Sequence, residues 1–128
     1  MLIESRIEEK YQNYLETAIK ILEKKGFESI KAELPDLTPP AALVRQSDDR
    51  SYTPDITATR YGAKSYFEIA QKTSDTGHLV AKWKLLAKLA KLKNGEFHIF
   101  VPRGAMSFTR DIVAKYNITA EVTKLEGK

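Results

Sequence analysis

Two carboxylates and a lysine share one short stretch, TPDITATRYGAKSYFEIAQK, residues 53–72. Asp55 opens one apolar-rich run, Glu68 sits inside the next, and Lys72 closes it. Carboxylates are hard oxygen ligands; two of them a few ångströms apart, with water, make a site for Mg²⁺ or Mn²⁺. The chemistry requires that both acids project from one side of the chain. Residues 55–60 and 64–71 read as strands, and the connection Tyr61-Gly62-Ala63 makes them an antiparallel hairpin. Side chains alternate along a strand, so Asp55, Thr57 and Thr59 share a face, as do Tyr66, Glu68, Ala70 and Lys72, with Phe67, Ile69 and Gln71 opposite. A hairpin places the start of its first strand beside the end of its second, about 4.8 Å away. Asp55 and Glu68 are then neighbours.

Other charged positions could serve a polyanion. In HLVAKWKLLAKLAKLK, residues 78–93, Leu79, Trp83, Leu86 and Ala90 form an apolar stripe widened by Leu85, Leu89 and Leu92. Lys84, Lys88 and Lys91 fall on the other side, able to contact phosphates or simply to face water. Trp83 belongs with the core. Arg103 follows an apolar strand, at an edge where open sheets bind ligands, and is a further phosphate contact. Arg45 and Arg50 accompany Asp48 and Asp49 in a long loop that either forms a lip over a substrate groove or is a mobile excursion. His78, at a helix start, reads as a cap or surface residue, and His98, between Phe97 and Ile99, as structural. The absence of cysteine, of a glycine-rich phosphate loop, of a G-x-S-x-G elbow and of a histidine cluster argues against thiolate metal sites, nucleotide-dependent enzymes, serine hydrolases and zinc enzymes.

The elements that must position these residues follow from periodicity. The 128 residues, 42% hydrophobic and 30% charged, suit one domain over 1–128. The formal net charge of +4 permits a nucleic-acid partner without requiring one. A charged N-terminus and the lack of a long apolar run point to a cytoplasmic protein with no membrane partner. Ile3, Ile7, Tyr11, Tyr14, Ala18, Ile21 and Leu22 predict a helix over 3–25, stopped at Gly26 after Lys24-Lys25. Strands are expected over 27–34, 55–60, 64–71, 96–101 and 118–125, and helices over about 78–93 and 107–116, the last capped by Ser107 and ended by Asn117. The four prolines of residues 35–54 predict no regular element there beyond one helical turn in AALV. Strands joined through helices give an α/β fold with a mixed central sheet of about five strands and helices on both faces.

Pro54-Asp55, the hairpin and Glu68, within this element order, resemble the PD-(D/E)xK nuclease superfamily, the restriction-endonuclease-like fold, over most of the chain. A second Pro-Asp, Pro35-Asp36, lies in a loop. The resemblance implies an αβββαβ core and a metal-dependent endonuclease that hydrolyses phosphodiester bonds. Asp55, Glu68 and Lys72 would be catalytic, Asp55 and Glu68 would hold Mg²⁺ or Mn²⁺, and Lys84, Lys88 and Arg103 would bind nucleic acid, with DNA favoured. A glutamate of the first helix, Glu8 or Glu16, often joins such sites. The protein would act as a homodimer or as a subunit of a larger system. One position departs from the signature: its lysine should stand two residues after the glutamate, where this chain has Ala70, and Lys72 lies about 6.6 Å further along the strand. The alternatives are a non-catalytic nucleic-acid- or protein-binding module on the same fold, and an unrelated α/β domain that carries the same residues.

Overall fold

A computed structural model of the chain describes the backbone of residues 2–45 and 50–125 and the side chains of 9–44 and 50–125. Asp48 and Asp49 of the expected loop lip lie outside the described residues, as do the side chains of Ile3, Ile7, Glu8 and Arg45.

The first helix, α1 (Leu2–Lys24), buries Leu15, Ala18, Ile19 and Leu22, the stripe that its apolar spacing predicts. It stops as expected at Gly26. The glycine takes φ 89°, its N–H donates to the Glu23 carbonyl, and the Phe27 N–H donates to the Leu22 carbonyl. Those two bonds satisfy carbonyls that the helix end leaves open. Strand β1 (Glu28–Ala32) follows. Residues 35–54 differ from expectation: they hold a small two-stranded sheet, β2 (Leu43–Arg45) against β3 (Arg50–Tyr52). Leu43 and Val44 of the AALV segment go to a strand rather than a helical turn, as suits the β-branched Val44.

Strands β4 (Ile56–Arg60) and β5 (Ala63–Ile69) form the predicted hairpin, but Ala63, expected in the connection, opens β5 instead. Arg60 pairs with Ala63 across Tyr61-Gly62, both at positive φ, which gives the two-residue turn whose twist matches its strands. Helix α2 (Thr76–Leu92) crosses to β6 (Phe97–Val101), and α3 (Met106–Lys115) crosses to β7 (Glu121–Lys124). Asn94 and Asn117, at φ 59° and 53°, turn the chain after these helices. Ser107 is not the cap of α3. Ala105 precedes the helix, and Ser107 lies inside its first turn.

The five-stranded sheet runs β1-β4-β5-β6-β7. Its first three strands are antiparallel in succession, and β5, β6 and β7 are parallel. Two cores flank it. Ile56, Ala58, Phe67, Ile69 and Phe100 pack under α1, while Tyr66, Ala70, Ile99 and Val101 pack with Val80, Trp83 and Leu86 of α2 and Ile112 of α3. The molecule is therefore α/β, with a mixed sheet between helices on both faces. The ladder between β5 and β6 ends when Ala70 N–H donates to the Phe100 carbonyl. Pro102, just past β6, has no N–H to carry it further. Strand alternation thus stops short of Lys72.

Candidate functional site

The hairpin register places Ile56 opposite Phe67, so the next residues outward, Asp55 and Glu68, face each other at the ribbon's open end. Main-chain groups lock them together. The Asp55 N–H donates to Glu68 Oε2 at 2.9 Å, and the Ile69 N–H donates to Asp55 Oδ2 at 2.7 Å. Helices approach from both layers. From α1, the Tyr11 hydroxyl donates to Asp55 Oδ1 at 2.5 Å. From α2, the Trp83 indole Nε1 donates to Glu68 Oε1 at 3.2 Å, and the Lys82 Nζ lies 3.1 Å from Glu68 Oε2. Each of the four carboxylate oxygens meets at least one donor.

Glu68 is 2% exposed. Burial, and then the neighbouring charge of Asp55, push its carboxyl up to about 8, against the opposing pull of Lys82 and the Asp55 N–H. Burial and Asp55 raise the Tyr11 phenol far above its ordinary range, so it stays a protonated donor. A buried carboxylate crowded by a second one is the arrangement in which a divalent cation relieves repulsion.

The donor set fits such an ion. Carboxylate oxygens carry two lone pairs each, so capacity remains beyond the bonds described. Three donors are fixed by the strands and the core: the main chains of Asp55 and Ile69 and the indole of Trp83. The other two, the Tyr11 hydroxyl and the Lys82 ammonium, reach in from the helices. Asp55 Oδ1 and Glu68 Oε1 each meet one donor, so each keeps a lone pair that a hard cation such as Mg²⁺ or Mn²⁺ would take.

Lys72 is not beside the acids. It lies past the end of β5, and among the described residues no ion pair joins it to Asp55 or Glu68. It lines a cavity of about 370 Å³ together with Lys10, Tyr11, Tyr14, Gln71 and Arg103. The ammonium that does meet Glu68 belongs to Lys82, which the sequence reading passed over. A signal existed: Lys82 stands three residues after Leu79 and four before Leu86, so a lysine occupies the apolar stripe of α2. Trp83 is core, as expected, and fully buried, but its indole nitrogen also serves Glu68.

The expected phosphate contacts fall in two places. Arg103 joins Lys72 in the smaller cavity. Lys84 and Lys88, with Lys91 and Tyr116, line a larger groove of about 840 Å³ that shares no lining residue with it. Lys84 Nζ sits 5.5 Å from the Tyr116 ring centre. Glu16 and Asp36 are exposed and take no part in the site. His78 is exposed, gives its N–H to the Asp75 cap of α2 and stacks on Tyr52.

A second acid group surrounds His98 on the opposite face. The imidazole, 4% exposed and stacked on Phe67, directs Nε2 at Glu96 Oε1 (2.5 Å) and Nδ1 at Glu121 Oε2 (3.2 Å). Arg60 Nη2 takes the other Glu96 oxygen at 3.0 Å. A neutral imidazole offers one N–H, so a second proton or a cation must fill the other contact. One ligand atom from each of the three residues lies within 4.8 Å of the others, close enough to share an ion. Glu96 is held below the usual carboxylate range, chiefly by its bond to His98.

No helix among the described residues is long and apolar enough to cross a membrane. No protein-family model, curated protein or solved structure matches the chain.

Proposed function

We propose that the chain is a divalent-metal-dependent nuclease with a restriction-endonuclease-like αβββαβ core, formed by α1, β1, β4, β5, α2 and β6. The observation that carries this reading is the buried Glu68 carboxylate, locked opposite Asp55 by main-chain bonds and paired with the ammonium of Lys82. Asp55 and Glu68 hold Mg²⁺ or Mn²⁺, which when bound polarises a phosphoryl oxygen and acidifies a bound water. The chain's own groups do the rest. Lys82 replaces the signature lysine missing at position 70 and offsets negative charge beside Glu68. Tyr11 holds Asp55, and Trp83 holds Glu68, in the orientation the ion needs. Lys72 and Arg103 present positive charge on the adjoining cavity wall, where substrate phosphates approach.

A non-catalytic nucleic-acid-binding module on the same fold is the second reading. That each of the four carboxylate oxygens already meets a protein donor favours it. Incubation with supercoiled plasmid and single-stranded RNA, with Mg²⁺ or Mn²⁺ against chelator, separates the two. The nuclease reading expects metal-dependent cleavage that Asp55→Ala and Glu68→Ala abolish and Lys82→Ala lowers by about 10²-fold or more, with a smaller loss in Lys72→Ala. Absence of cleavage with every ion, alongside salt-sensitive binding that chelator leaves intact, would establish the binding module instead.

A further inference from the structure

The cavity beside Tyr11 has a composition that the metal pair does not explain. It lies beyond the carboxyl ends of β5 and β6, bounded by Ala70, Gln71 and Lys72 after one strand and by Pro102 and Arg103 after the other. Open α/β sheets bind small ligands at that edge. Three cations, Lys10, Lys72 and Arg103, line it, and no acidic residue does. Among the described residues none of the three has an ion-pair partner. Unpaired cations gathered at one concavity call for an anion. Two tyrosines also line it, so the anion should carry a flat or apolar body. The volume, about 370 Å³, stands at the small end of the roughly 300–1,000 Å³ range of small-molecule pockets. That is room for a single nucleotide and not for a duplex. The larger groove shares the cations, with Lys84, Lys88 and Lys91, but differs in size and in charge balance. It is more than twice the size, and Glu96 and Glu121 are among its lining residues.

We infer that this cavity is a subsite for one unpaired nucleotide, its phosphate held by Lys72 and Arg103 and its base set against Tyr14. The inference rests on the nucleic-acid reading of the Asp55–Glu68 site and specifies its substrate. Tyr11 links the two places, since it lines the cavity and its hydroxyl holds Asp55. A nucleotide seated there puts an adjacent phosphodiester near the carboxylate pair. Intact duplex cannot enter, so the substrate is single-stranded, or a strand with a terminal or extruded nucleotide.

The test follows backbone amide shifts of residues 70–72 and 103–105 by NMR. Nucleoside monophosphate, unphosphorylated nucleoside, inorganic phosphate, a short single-stranded oligonucleotide and the matching duplex are each titrated into metal-free protein. The expected result is saturable shifts with the monophosphate and the single strand, which compete with each other. Nucleoside and phosphate alone should bind about tenfold more weakly or worse. Arg103→Ala with Lys72→Ala should weaken the monophosphate by about tenfold or more, and Tyr14→Ala should weaken the monophosphate without changing inorganic phosphate. Amide dispersion of each variant reports that it remains folded. Shifts with phosphate equal to those with the monophosphate would reduce the cavity to an adventitious anion site. A duplex that matches the single strand, or a single strand that leaves these amides unmoved, would overturn the subsite. Cleavage without cavity shifts would remove the subsite and leave the nuclease standing. Cavity shifts without metal-dependent cleavage would do the reverse.

Discussion

Two acid pairs sit on this sheet, and their surroundings separate them. Asp55 and Glu68 meet at the carboxyl end of β5, with Glu68 buried among Trp83, Lys82 and the main chain of Asp55. Glu96 and Glu121 lie at the opposite ends of β6 and β7, on the other face, with side chains 47% and 61% exposed around a buried histidine. Both groups could hold a cation. Only the first places a carboxyl away from water, with Glu68 2% exposed. The difference shows that burial, rather than the number of carboxylates, makes a site demanding: water screens the outer pair at little cost and cannot reach Glu68.

Removal of a single cation should affect the two regions very unequally. Lys82→Met leaves Glu68 beside Asp55 without its ammonium, so Glu68 should keep its proton to higher pH. The metal-free protein should lose about 2 kcal/mol more at about pH 9.5, where the parent's Glu68 is ionised, than at about pH 6, measured by urea unfolding. At the lower pH the protonated Glu68 no longer needs the partner. An equal loss at both pH values would show that Lys82 contributes packing rather than charge.

The pH dependence of the parent protein sharpens the same contrast. Glu68 holds its proton up to about 8 when folded and only to about 4.5 when unfolded. Between these values the folded state binds more protons, so its contribution to stability falls as pH rises through that window. In chelator, Glu68→Gln should remove this decline and be the more stable protein at pH 8, by about 3 kcal/mol. A stability profile that rises from pH 5 to 8 in the parent, unchanged by Glu68→Gln, would mean that the buried acid is ionised throughout.

Around the outer pair, backbone should matter more than charge. A Cβ at Gly95 would stand 1.8 Å from the Lys64 carbonyl oxygen, and main chain cannot yield as a side-chain end can. Gly95→Ala should therefore cost about 2 kcal/mol by displacing the entry to β6, seen as a lowered unfolding midpoint. Glu121→Gln should cost about 0.5 kcal/mol and fade in high salt, since its oxygen meets His98 at the open edge of the cluster. A larger, salt-resistant loss would place a bound ion there.

Much of the fold was readable because it rests on local rules. The α1 stripe, its stop at Gly26, the Tyr61-Gly62 turn and the asparagines after α2 and α3 each follow from the conformational limits of a few adjacent residues. The hairpin was readable, but its register was not: the expected three-residue connection would set Asp55 opposite Ile69, whereas the two-residue turn sets it opposite Glu68. The β2–β3 sheet was not, because its three-residue strands lack the length for a periodic signal. Ser107 misled because a good capping residue acts only where the preceding turn leaves it at the helix boundary.

The primary structure alone determined that the two acids would lie at the open end of one hairpin, since a short antiparallel connection brings the start of its first strand beside the end of its second. It did not determine which lysine would join them. Lys72 is near in the chain but lies past the point where Pro102 ends the ladder, whereas Lys82 is brought in by the packing of α2 across the sheet. That choice depends on the depth and rotation at which a helix settles on a strand four turns of chain away, and only the assembled core fixes either.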